Sequence, residues 1–193
     1  MTKLLFIDTE TTGLDAKRND IITLSGIIED TEQKFQPVSF NYEMQPYDYN
    51  TIQQAALDIN KLTVEKIRTF EQPNTAVGRF IALLDNYVDR YDKNDKFTVV
   101  GYNVKFDLEF LRATFEKAGE KYFGSYINGY PIDVYELLKY LNVVKGWNID
   151  KQNLWRYVEM FKLKIEGQEF HNSMSDILYT RQLFYLINQN YIK

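Results

Sequence analysis

The chain has 193 residues, of which 45% are hydrophobic and 26% are charged, and its formal net charge is −4 at pH 7. This length and balance predict one domain, spanning 1–193, with a sizeable core. The charge argues against a broad basic patch for duplex phosphates, and the sequence has no apolar run long enough to cross a membrane. With no cysteine and one histidine, disulfides, thiolate metal sites and multi-histidine zinc sites are excluded, and a reducing cytoplasm is the expected compartment.

Three β-rich runs open the chain, and short polar turns separate them. They cover 3–8, 21–29 and 35–44. Runs of this kind with short connections predict an antiparallel meander.

From about residue 51 the apolar residues recur at intervals of three and four, which indicates helices. The segment "FTVVGYN" (97–103) interrupts them as a short buried strand, and Asn103 is the expected N-cap of the next helix. Later helical patterns cover 134–141, 154–161 and 173–190. Meander strands followed by alternating helix and strand predict a mixed α/β sheet covered by helices.

The first strand ends in two acidic residues, Asp8 and Glu10 of "KLLFIDTETTGL". Side chains alternate along a strand, so both carboxylates point to the same face and lie close together. Such a pair needs protons or cations to offset its repulsion. Gly13 then allows a tight turn or a close ligand approach.

The same D-x-E spacing occurs twice more. Asp30 and Glu32 lie in "EDTEQK", which predicts a solvated hairpin turn. Asp107 follows the apolar strand, one turn into a helix. It is either a surface residue or part of a site at the carboxyl end of that strand, where α/β sheets bind ligands.

Near the other end, "FHNSMSDILYT" places His171 just before a helix that carries Asp176. A lone histidine is most often structural or exposed. Four acids and one histidine at strand and helix ends nevertheless predict an oxygen-ligand site for two divalent cations, with a base nearby.

Three motifs together resemble the DEDDh group of 3′–5′ exonucleases, which includes a bacterial proofreading subunit, RNase T and oligoribonuclease. They read "FIDTETTGL" (6–14), "YNVKFDLEFL" (102–111) and "HNSMSD" (171–176), in the order that the group has. The resemblance implies a ribonuclease H-like αβα fold with a mixed five-stranded sheet.

The resemblance also implies roles for single residues. Asp8 would bridge two divalent cations, Mg²⁺ or Mn²⁺, with Glu10 and Asp176 completing the first metal site. Asp107 would serve the second cation, and His171 would be the general base. The last motif has serines at 173 and 175, where relatives commonly have alanine.

For the substrate, the resemblance implies that the backbone around 11–14 receives the terminal nucleotide. "INKLT" (59–63) falls where relatives often have V-H-G-I-T, so that Asn60 and Lys61 depart from the common pattern and Leu62 would pack on the terminal base. The substrate-binding residues predicted in this way are Thr11, Thr12, Gly13, Leu14, Leu62, Asn103 and Phe106.

The predicted function is therefore a metal-dependent 3′–5′ exonuclease that releases nucleoside monophosphates from single-stranded DNA, as in proofreading, with a DNA polymerase as a candidate partner. An exoribonuclease that acts on RNA or short oligoribonucleotides is the alternative, because nothing in the sequence reads the 2′-hydroxyl. A third hypothesis is a non-catalytic module that docks on a polymerase. The complete set of acids and the histidine argues against it.

Overall fold

A computed structural model describes residues 2–165 and 173–191 of the chain. The strands are β1 (Lys3–Thr11), β2 (Ile21–Asp30), β3 (Val38–Glu43), β4 (Phe97–Gly101) and β5 (Ile132–Asp133). The helices are α1 (Gln54–Asn60), α2 (Val64–Ile67), α3 (Pro73–Asp85), α4 (Val104–Lys117), α5 (Phe123–Tyr126), α6 (Val134–Lys145), α7 (Leu154–Met160) and α8 (Ser173–Asn190).

The five strands form one mixed sheet in the order β3-β2-β1-β4-β5. The first three strands are antiparallel neighbours, whereas β4 is parallel to β1 and β5 is parallel to β4. The predicted meander and the predicted mixed α/β sheet are both confirmed. The fifth strand has only two residues, which is too short to leave an alternating pattern in the sequence.

Helices cover both faces of the sheet, and β1 contributes alternate side chains to the two cores. Leu5 and Ile7 pack in a core with residues of α3 and α4. Leu4 and Phe6 pack in a second core with residues of α6, α7 and α8. Asp8 and Glu10 continue the second face towards the carboxyl end of the strand, because side chains alternate along it.

One sequence prediction needs correction, and another is confirmed with a different geometry. Asp30 was expected in a solvated turn, but β2 extends to this residue and leaves it only 4% exposed, since Asp30 pairs with Lys3 of β1. Asn103 does occupy the N-cap position of α4, yet its side chain makes no capping hydrogen bond. Its backbone lies in the left-handed region, with φ of 59°, and this conformation joins β4 to the helix instead.

In the described ranges no helix combines the length and the hydropathy that a membrane span requires.

Candidate active site

Asp8 and Glu10 lie half-buried near the carboxyl end of β1, the central strand of the sheet. Burial raises the pKa of Asp8 well above its ordinary value, and the charges of Asp107, Glu10 and Asp176 raise it further. Burial, and then the charge of Asp176, raises the pKa of Glu10 to about 7. At neutral pH this end of the strand therefore favours bound protons or cations.

Asp107 reaches the same place from the opposite helical layer. It lies in the first turn of α4 and is 4% exposed. Its Oδ1 accepts hydrogen bonds from the backbone N of Thr9 at 2.9 Å and from Thr9 Oγ1 at 2.8 Å. Burial raises the pKa of Asp107 to about 7 even though these two hydrogen bonds act to lower it.

Asp176 lies in the first turn of α8, which packs on the face that carries Asp8 and Glu10. Its charge raises the pKa of both residues, so the four acids act on one another as a group. His171, the predicted base, lies outside the described residues.

The four carboxylates fit a hard divalent cation by type and by charge, because Mg²⁺ and Mn²⁺ prefer oxygen ligands. Within residues 2–165 and 173–191, no three His, Cys, Asp or Glu side chains are arranged to hold a metal ion. Like charges repel, so these carboxylates have no electrostatic reason to converge without a cation between them. The four carboxylates are thus suitable ligands, and their side chains must move for them to surround an ion.

The turn after β1 is held tightly by its own hydrogen bonds. Thr12 N donates to Asp20 O at 2.9 Å, and Asp20 N donates to Thr12 Oγ1 at 2.9 Å. A Cβ atom on Gly13 would lie 2.4 Å from Asn19 Oδ1, so any other residue there would displace the Asn19 side chain. Thr11, Thr12 and Gly13 are buried, whereas Leu14 is 80% exposed and projects from the turn.

A partly buried ion pair joins this turn to the end of α4. Lys117 Nζ lies 2.7 Å from Asp20 Oδ1, and it donates to Asn19 O at 2.8 Å. Asn19 Nδ2 in turn donates to Thr51 O at 2.6 Å. Sequence reasoning missed this ion pair, because Lys117 lies 97 positions from Asp20 and neither residue belongs to a local motif.

The segment predicted to meet the terminal base does contact the turn. Asn60 Nδ2 donates to Thr11 O at 3.0 Å. Lys61 has a left-handed backbone with φ of 54° and ends α1, at the position where relatives often have glycine. Leu62 is half-buried against a small core that includes Leu57.

Asn103 and Phe106 lie at the start of α4, close to Asp107 along the helix. Asn103 is exposed, and its backbone N donates to Asp133 Oδ1 at 2.9 Å. The same oxygen accepts from Tyr135 N at 3.0 Å, so Asp133 caps α6. Phe106 is half-buried, with its ring centroid 4.8 Å from that of Phe110.

The chain matches a known protein family. The family model described as "Exonuclease" (RNase_T) matches residues 5–184. A comparison with curated proteins gives no match.

Several solved structures share the fold. Escherichia coli exonuclease I in its zinc-bound complex with single-stranded DNA superposes with a TM-score of 0.79 at 19% identity, over 99% of this chain and 41% of that chain. The same enzyme with a dT13 oligonucleotide gives 0.76 at 20% identity, over 97% and 41% of the two chains. A product-bound exonuclease I gives 0.75 at 19% identity, over 98% and 44%. The present chain thus spans less than half the length of these structures.

Proposed function

The chain belongs to the exonuclease family, and we propose that it is a metal-dependent 3′–5′ exonuclease that releases nucleoside monophosphates from single-stranded DNA. The observation that carries the proposal is the group of four mutually interacting acids at the carboxyl end of β1. The family match supports a single exonuclease domain over 1–193. The DNA-bound exonuclease I structures support single-stranded DNA as the substrate.

In this proposal Asp8, Glu10 and Asp176 would hold one divalent cation, and Asp8 and Asp107 would serve a second. When bound, such ions activate water and stabilise the leaving 3′ oxygen. The ligands come from both helical layers, since Thr9 donates two hydrogen bonds to Asp107 of α4 and Asp176 lies in the first turn of α8.

The turn at 11–14 receives the terminal nucleotide. Its backbone is fixed by Asp20 and Asn60, so it offers a rigid edge next to the acids. Leu14 extends from this edge, and Leu62, which packs beside Leu57, is proposed to meet the terminal base. Asn103 and Phe106 lie at the start of α4, where the helix also carries Asp107.

His171 is proposed as the general base. It takes a proton from the attacking water, and its position in the sequence is five residues before Asp176. A neutral imidazole suits this role at pH 7, because its ordinary pKa is about 6.5.

The deciding experiment digests labelled single-stranded DNA, duplex DNA and RNA of equal length with Mg²⁺, Mn²⁺ or EDTA. We expect mononucleotides from single-stranded DNA, loss of cleavage in EDTA, and inhibition by a 3′-phosphate block but not by a 5′ block. Faster digestion of RNA would favour the exoribonuclease alternative. Nicks in circular single-stranded DNA would refute an exonuclease.

Proofreading adds a partner to this proposal. If the chain serves a DNA polymerase, its excision of a mismatched 3′ terminus should be faster in the presence of that polymerase. Equal excision with and without a candidate polymerase would argue for an independent enzyme.

A further inference from the structure

The first residue of α8 is joined to the sheet by hydrogen bonds between two serine hydroxyl groups and an asparagine. Ser173 is 8% exposed, and its Oγ lies 2.7 Å from the Oγ of Ser25, which is fully buried. Ser25 Oγ donates to Asn41 Oδ1 at 2.7 Å. Because a hydroxyl has one proton, Ser173 is the donor to Ser25. The hydrogen bonds therefore run from α8 through β2 to β3.

These hydrogen bonds lie directly beside the acids. In the register of β1 and β2, Ser25 is opposite Asp8, so the two side chains point to the same face. Asp176 lies three residues after Ser173, which is nearly one helical turn. One hydroxyl is thus fixed next to Asp8, and the other starts the helix that carries Asp176.

The link between Ser173 and Ser25 matters because it lies in the first turn of α8, the turn that carries Asp176. The buried positions there are Ser173 and Ser175, and Met174 is only half-buried. Large buried apolar side chains begin at Ile177 and continue along the helix. Apolar packing therefore holds the body of α8, and the link between Ser173 and Ser25 joins its first residue to the sheet.

We propose that Ser25 and Ser173 are positioning residues that fix the first turn of α8 and so set the separation of the Asp176 and Asp8 carboxylates. The effect on turnover rests on the proposed function. The effect on the helix does not, and it is measurable in protein without metal.

The first test compares the wild type with Ser25→Ala, Ser173→Ala and the double variant by amide hydrogen exchange in EDTA. The amides of residues 177–180 report the first turn, because they bond to the carbonyls of 173–176. We expect exchange there to be about 3- to 10-fold faster in each variant, the size of one lost hydrogen bond. Asn142→Ala is the control. It removes two hydrogen bonds to Ile149 at the far end of α6, and it should leave the amides of 177–180 unchanged.

The second test measures nuclease kinetics against Mg²⁺ concentration. Each serine variant should need a higher Mg²⁺ concentration for half-maximal rate, by about 3- to 10-fold, with kcat reduced and KM for the oligonucleotide unchanged. Ser173→Thr keeps a hydroxyl and should restore most of the difference. The double variant leaves neither hydroxyl without its partner, so it should melt no lower than Ser25→Ala while keeping the full defect in Mg²⁺ dependence.

Unchanged exchange at 177–180, or a defect that merely follows the melting temperature and also appears in Asn142→Ala, would overturn the proposal. If neither wild type nor variants cleave any nucleic acid, the proposed function fails, and hydrogen exchange still decides the role of the two serines.

Discussion

Thr9 donates two hydrogen bonds to a single oxygen of Asp107, one from its backbone and one from its side chain. The two residues are separated by 98 positions in the chain, and the contact joins β1 to α4. Hydrogen bonds to an ionised carboxylate stabilise its charged form. They oppose the burial that raises the pKa of Asp107 to about 7. Thr9 therefore helps to keep this acid available as a metal ligand.

Thr9→Val should raise the pKa of Asp107 further, because it removes the side-chain hydrogen bond while keeping the shape of the side chain. The acid limb of the pH–activity profile should move to higher pH by about half a unit to one unit, as one hydrogen bond predicts. Thr98→Val on β4 is the matched control, since Thr98 bonds to Asn128 and not to an acid of the site. An unshifted acid limb in Thr9→Val would show that Asp107 does not govern it.

Asp8→Asn should abolish most activity, because Asp8 is assigned to both cations. We expect a loss of about a thousandfold or more, the effect of losing several kcal/mol of charge stabilisation. In EDTA at pH 8 the same variant should melt higher than the wild type, since removing one of four like charges lowers their repulsion. Exposed Asp150→Asn is the control and should change neither property. Near-normal turnover in Asp8→Asn would refute the assignment.

Without metal, the protein should lose stability as the pH rises. Folding raises the pKa of Glu10 from 4.5 to about 7 and that of Asp107 from 3.8 to about 7. The folded state therefore holds protons that the unfolded chain releases near pH 4, and this advantage disappears as the pH passes through about 7. The melting temperature in EDTA should fall by roughly 5 to 10 °C between pH 5 and pH 8.

Saturating Mg²⁺ should remove most of that fall, because bound cations offset the charges that the lost protons leave behind. The comparison requires melting curves at each pH with EDTA and with Mg²⁺ in the same buffer. A melting temperature in EDTA that rises steadily from pH 5 to pH 8 would contradict the raised pKa values.

Lys117→Met should loosen the turn at 11–14, since it leaves the buried carboxylate of Asp20 without its cation. We expect a loss of about 2 kcal/mol in the free energy of unfolding, together with a higher KM for oligonucleotides. Adding Asp20→Asn should recover part of both, because it removes the uncompensated charge. Lys105→Met on the exposed side of α4 is the control. Equal effects of Lys105→Met and Lys117→Met would rule out a special role for the pair.

The role of His171 remains a prediction. His171→Ala should reduce turnover by about 10²- to 10⁴-fold, the usual cost of losing a general base, while the melting shift caused by Mg²⁺ is retained. The acid limb of the pH–rate profile should also flatten. If the histidine only packs or caps, the variant will melt lower and cleave at a nearly normal rate once folded.

Local pattern was sufficient for much of the fold. The apolar run before Asp8 predicts β1, and the periodicity of 173–190 gives α8 with its observed bounds. Both signals are local, because they come from alternate or helical burial of neighbouring residues. The exonuclease family, which the family model confirms, is predicted from motifs that are local in the same way.

The supports of the site were not predictable in this way. Lys117 and Asp20 form a pair only because α4 returns its end to the turn after β1, and a single sequence has no trace of that contact. The prediction for Asp30 was wrong for a related reason. The charge of this residue indicated a turn, whereas pairing with Lys3 extends β2 and buries Asp30. In both cases long-range contacts, and not local polarity, determine where the charged side chains lie.

The alternation along β1 makes the site sensitive to the length of the strand. A one-residue insertion or deletion in 3–7 would reverse the faces, so that Asp8 and Glu10 would point towards α3 and α4 and Thr9 would take their side. Two carboxylates would then meet a core built for apolar side chains. Substitutions of one branched apolar residue for another in β1 leave each side chain on the same face of the sheet. Natural variation in the strand should therefore consist of substitutions, with gaps confined to the loops on either side.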